Sequence, residues 1–141
     1  EQTAFCRADI YVYFAVATLV VLLFVACARP VGQVATTVKA VDMASGKTIF
    51  AYDIANGKWQ TFDESGITCE VVQNGQSLTV TVNRGADGKY NTFEIVPSAD
   101  GVSVTMKAAE CGVYKDCIRV FGTISAGSIV CSPNMLKVIV E

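Results

Sequence analysis

Two patterns divide this chain. Residues 10–28 read IYVYFAVATLVVLLFVACA, with no charged residue and no Gly, Pro, Asn or Gln. Such a run is apolar on every side, and as a helix it would extend roughly 28 Å, close to the thickness of a bilayer's hydrocarbon core. The pattern predicts one long apolar α-helix within residues 1–30. Asp9 stands where a helix N-cap belongs, and Tyr11 and Tyr13 lie near the same end, suited to an interfacial belt or to a packed core. Arg29-Pro30 is expected to end or kink the helix, because the residue before a proline avoids the helical region. The residues expected to pack this helix are Ala15, Ala17, Leu19, Leu22, Leu23, Phe24 and Ala26, the small ones permitting close approach.

From residue 34 the period changes to two. Val34, Thr36, Val38 and Ala40 alternate with Ala35, Thr37 and Lys39, which predicts a strand. A helical alternative exists, because Val31, Val34, Val38 and Val41 fall at helical spacing, but the β-branched content favours the strand. Turn signals then recur about every ten residues: Ser45-Gly46, Asn56-Gly57, Ser65-Gly66, Asn74-Gly75, Asp87-Gly88 and Asp100-Gly101. Asn-Gly pairs suit tight hairpins, since both residues tolerate positive φ. The segments between them predict strands over 48–54, 59–62, 67–72, 77–82, 90–96, 102–107, 118–124, 128–131 and 135–140. Eight to ten short strands of this kind indicate an antiparallel β-sandwich, immunoglobulin-like or similar, filling residues 31–141.

Charge and composition narrow the chemistry. The net charge is −2, and residues 31–141 carry nine basic and eleven acidic side chains with no basic stripe. Nucleic acid is therefore not an expected partner. One Arg flanks each end of the apolar run, so loop charge gives no orientation. The chain has no His, which removes the commonest general base and metal ligand. No nucleophile elbow, phosphate loop or dinucleotide fingerprint is present. Adjacent carboxylates such as Asp63-Glu64 read as a solvated turn, and the Asp-Gly loops lack the ligand series of a calcium site. No catalytic residue, metal, cofactor or small-molecule substrate is expected.

Six cysteines remain. Cys69, Cys111, Cys117 and Cys131 lie in the β region, where disulfides would point to an oxidising compartment. The five-residue gap between Cys111 and Cys117 lacks the close spacing of zinc or thioredoxin-like sites. Four cysteines allow three pairings and the sequence does not choose; Cys111–Cys117 with Cys69–Cys131 is the expected pairing. Cys6 and Cys27 would lie roughly 31 Å apart along one helix, too far to bond within a chain. They are buried free thiols or intersubunit partners between staggered copies.

A short polar start (EQTAFCRAD), one long apolar segment and a compact β region together resemble a type IV pilin, particularly the archaeal kind. The resemblance is architectural and spans the chain. It implies N-terminal helices bundled in a filament core, β-sandwiches forming the outer surface, copies of the same chain as partners, a membrane-embedded stage before assembly, and a role in adhesion at the cell surface. A start at Glu1 with the apolar run retained fits prepilin-type processing, whereas a faint lipobox at Phe24-Val25-Ala26-Cys27 would remove residues 1–26. This chain departs from the family in spending nine residues before the apolar run, in lacking a Glu within it, and in having no Asn-x-Ser/Thr sequon. The rival expectation is a single-pass membrane-anchored extracytoplasmic β-domain acting as an accessory or binding subunit.

Overall fold

The computed structural model describes residues 11, 13, 16–20, 35–99, 101–120 and 122–141. The chain divides into two compact units, Glu1–Gln33 and Val34–Glu141.

In the first unit, Tyr11, Tyr13 and residues 16–20 are helical. The expectation of one long N-terminal apolar helix is corrected: no helix among the described residues reaches seven residues, and none is long and apolar enough to cross a membrane. Composition and absence of breakers made the whole run read as helix, yet continuity depends on what surrounds an apolar segment, which its sequence does not contain. The remaining positions of 10–28 lie outside the described residues.

The described residues of the second unit form ten antiparallel strands in two five-stranded sheets. One sheet holds β1 (Thr37–Asp42), β2 (Thr48–Asp53), β3 (Lys58–Thr61), β9 (Gly127–Cys131) and β10 (Leu136–Val140), ordered β3-β2-β1-β10-β9. The other holds β4 (Ile67–Asn74), β5 (Ser77–Arg84), β6 (Lys89–Ser98), β7 (Gly101–Ala109) and β8 (Thr123–Ile124) in chain order. A four-residue helix, α1 (Asp116–Arg119), lies between β7 and β8. The sequence predicts a strand over 118–124, and among the described residues of that range only Thr123–Ile124 forms one. Cys117 anchors this stretch in the core as a helical turn instead.

Consecutive strands within each sheet are neighbours, and the chain changes sheets only from β3 to β4 and from β8 to β9. This is a meander closed by β1 pairing with β10, not the Greek key of an immunoglobulin domain. Alternation places one face of each strand inward: Val38 and Ala40 from β1, Leu78, Val80 and Val82 from β5, Phe93 and Ile95 from β6, Val138 and Val140 from β10. Phe50 and Phe93 meet edge to face across the core at 6.0 Å. Ile49 and Phe50 are both buried although adjacent, because the β1–β2 register shifts between Ala40 and Val41.

A second register shift lies between β6 and β7. Phe93 pairs with Met106 but Thr92 pairs with Ala108, leaving Lys107 as an extra residue in β7. Before the bulge the inward residues are Val102, Val104 and Met106; after it, the inward residue is Ala109. The bulge exchanges the parity of the strand, and Cys111 comes two residues later in the same phase.

Candidate functional site

The end of the sandwich where β1, β5, β7 and β9 finish is tied across by side chains and turns. Asp42 is buried at the end of β1 and accepts from Ala44 N at 3.2 Å and Ser45 N at 2.9 Å. Arg84, at the end of β5, pairs with the Asp42 carboxylate and donates to the Met135 carbonyl at 2.9 Å. Burial alone would raise the Asp42 pKa, but the Arg84 guanidinium and the Ser45 and Ala44 donors overcome that and hold the carboxyl well below its usual range. Met43 N donates to Met135 O at 2.7 Å, linking the β1–β2 and β9–β10 turns. Asn134, buried in the latter turn, donates to Tyr90 O at 3.0 Å and to Asn91 Oδ1 at 2.7 Å.

Three sulfurs converge on this frame. Cys131 ends β9, Cys117 is the buried residue of α1, and Cys111 comes after the β7 bulge. Their Sγ atoms all lie within 4.8 Å of one another, and Cys111 and Cys117 are 3.7 Å apart. All three are free thiols, as is Cys69. Cys117 and Cys131 are buried, and Cys111 is half-buried. The loop between Cys111 and Cys117 reverses at Gly112 (φ 102°) and at Lys115, a non-glycine residue in the left-handed region (φ 49°). Lys115 O accepts from Ile118 N and Arg119 N, so the strained residue starts the turn that returns Cys117 to the core.

Asn91 completes the cluster. Its Nδ2 points to Cys117 Sγ at 4.0 Å and Met106 Sδ at 3.9 Å, while Asn134 fixes its oxygen. Burial pushes the Cys111 and Cys117 thiols up from their ordinary value, and the Cys131 sulfur adds to the rise in both. A cavity of about 510 Å³ opens beside the sulfurs, bounded by the 111–117 segment and residues 130–133. Val113 and Tyr114 stand exposed in that segment.

Cys69 stands apart. It sits on β4, half-buried against the core, paired in register with Val82. β4 is the edge of its sheet farthest from β8, whereas β9, which carries Cys131, is the edge that approaches β8. The structure thus groups Cys131 with Cys111 and Cys117 and not with Cys69. Burial, and then the neighbouring Glu70 carboxylate, push the Cys69 thiol up to about 11.

Among the other residues singled out from the sequence, Ala17 and Leu19 fall within helical residues 16–20 and are exposed. Cys6, Cys27, Ala15, Leu22, Leu23, Phe24 and Ala26 lie outside the described residues. Glu64 pairs with Lys47 at 2.9 Å, and Gly88 is the left-handed cap of a short 3-10 turn after Gly85–Asp87. Sequence reasoning missed Asn91, Asn134 and the Asp42–Arg84 pair. A signal existed for Asn91: it is polar at an inward position of β6, in phase with Phe93 and Ile95. Comparison with protein-family models, curated proteins and solved structures finds no match to the chain.

Proposed function

We propose that the protein is a non-enzymatic β-sandwich module attached through its apolar N-terminal run, presenting the cysteine-bearing end of the sandwich. The observation that carries this reading is exposure. Tyr11, Val16, Leu19 and Val20 are between 45% and 75% exposed, in a stretch that has no charge to hold it in water. Apolar surface of that extent is covered by lipid or by another protein surface. The sandwich has a core of its own, since its two sheets fill one another with residues of 38–140. The lack of any His and the pairing of Glu64, Glu94 and Glu141 with exposed lysines support a role without catalysis.

The attachment reading favours the anchored accessory or binding module. A built cluster of three sulfurs beside a cavity is a feature that a passive wall has no use for. A second reading, the filament subunit, takes its support from the small residues of the run and the open edge strand β3, whose four residues are all exposed. There the apolar surroundings come from copies of the same chain.

Fractionation of producing cells separates the two. The anchored module stays in the membrane pellet after high-salt and carbonate washes, and detergent releases it as a monomer or a hetero-complex. Filaments sheared from the cells and containing this chain by mass spectrometry would establish the second reading. Recovery in the soluble fraction without detergent would overturn both.

A further inference from the structure

We infer that Cys111, Cys117 and Cys131 form a binding site for one thiophilic d10 cation, zinc or copper(I). Three sulfurs, from the loop after β7, from α1 and from β9, meet within 4.8 Å. A metal–sulfur distance of about 2.3 Å requires ligand sulfurs roughly 3.8–4.0 Å apart in tetrahedral or trigonal geometry. The Cys111–Cys117 separation of 3.7 Å is close to that spacing and well beyond the ~2.05 Å of a disulfide. A disulfide between any two of the three would leave the third as an odd thiol against it. A metal ion uses all three.

The surroundings suit such an ion. Asn91 Nδ2 is aimed at Cys117 Sγ and is held there by Asn134, the kind of outer donor that orients and stabilises a metal-bound thiolate. The donor set is sulfur alone, which selects soft cations over calcium or magnesium. The half-buried Cys111 and the adjoining cavity leave an approach for the ion and room for a fourth ligand on zinc. The site concerns the sandwich alone and is independent of how residues 10–28 are attached.

The test uses the full chain, purified reduced and without oxygen in detergent, loaded in separate arms with zinc or copper(I), desalted and assayed for metal. Retention of about one ion per chain in either arm is expected, and the arm that retains it identifies the cation. A variant carrying Cys6→Ser, Cys27→Ser and Cys69→Ser keeps that content, while Cys111→Ser or Cys131→Ser falls below about a tenth of it. A reading that needs no variant is protection: the loaded wild type shields Cys111, Cys117 and Cys131 from iodoacetamide relative to the metal-free protein and leaves Cys69 labelling unchanged. Retention of neither ion, loss of metal in the triple variant, equal labelling with and without metal, or a Cys111–Cys117 disulfide in protein isolated without added oxidant would each overturn the site.

Discussion

Asp42 shows how much one buried carboxylate does at the end of a β-sandwich. It takes two backbone donors from its own turn and Arg84 from the opposite sheet. Asp42→Asn keeps the shape and removes the charge, leaving Arg84 uncompensated. The expected loss is about 3 kcal/mol, read from the shift in a urea unfolding midpoint. The pH dependence has a fixed sign. A carboxyl held below its unfolded pKa of about 3.9 contributes stability that is fully present above that value and is lost as pH falls toward the folded one. Wild type should therefore weaken progressively below about pH 5, and Asp42→Asn should be flatter over the same range. Equal slopes for the two proteins would remove Asp42 from the explanation. Thiol reactivity tracks burial at the same scale. In the metal-free native protein, Cys111 is half-buried while Cys117 and Cys131 are 2% exposed, so mass-spectrometric mapping of brief alkylation should find Cys111 modified ahead of the other two.

The Lys107 bulge sets the arrangement of the cysteines at the level of the element. Were Lys107 paired in a regular ladder and not bulged out, the odd positions after Met106 would face outward, and Cys111 with them. Deleting Lys107 closes the bulge and leaves Ala108 opposite Thr92 and Ala109 opposite Asn91, so the parity is tested instead by inserting one Ala after Ala109, which turns Cys111 by one position. The expected result is a folded protein in which Cys111 alkylates at least several-fold faster, while Cys131 stays protected because β9 is untouched. Unchanged Cys111 labelling would show that the loop, not the strand parity, places the sulfur. The core itself behaves more simply. Phe93 is fully buried and edge-on to Phe50, so Phe93→Ala should cost about 3–5 kcal/mol, visible in the same urea titration.

As a whole, the molecule joins an apolar N-terminal segment to a closed meander with a core of its own. The edge strands β3 and β4 run at one side, β8 and β9 at the other. β1 is fastened to the C-terminus by Thr36 N and Thr37 N, which both donate to Glu141 O at 2.7 Å. Residues 35–141 produced alone should be soluble without detergent and unfold in one cooperative transition by circular dichroism. Aggregation of that fragment would mean that the sandwich needs the apolar run for its fold and not only for attachment.

Most of the β architecture was legible along the chain because alternation and turn chemistry are local. Ser77–Arg84 alternates with period two and Asn74-Gly75 precedes it, so strand and turn are set by neighbouring residues. Burial of Val38, Val80, Phe93 and Val138 comes from the same phase. Sheet partners were not legible, since the β1–β10 pair joins residues about a hundred apart and nothing local marks it. Nor was the sulfur cluster. Cys111 and Cys117 at a five-residue gap look unlike a metal site; a bulge, a strained Lys115 and a four-residue helix place those two, and Cys131 joins them from the other sheet. Residue chemistry and period are carried by each short segment, whereas a site assembled from a loop, a helix and a strand exists only after the sheets have closed on one another.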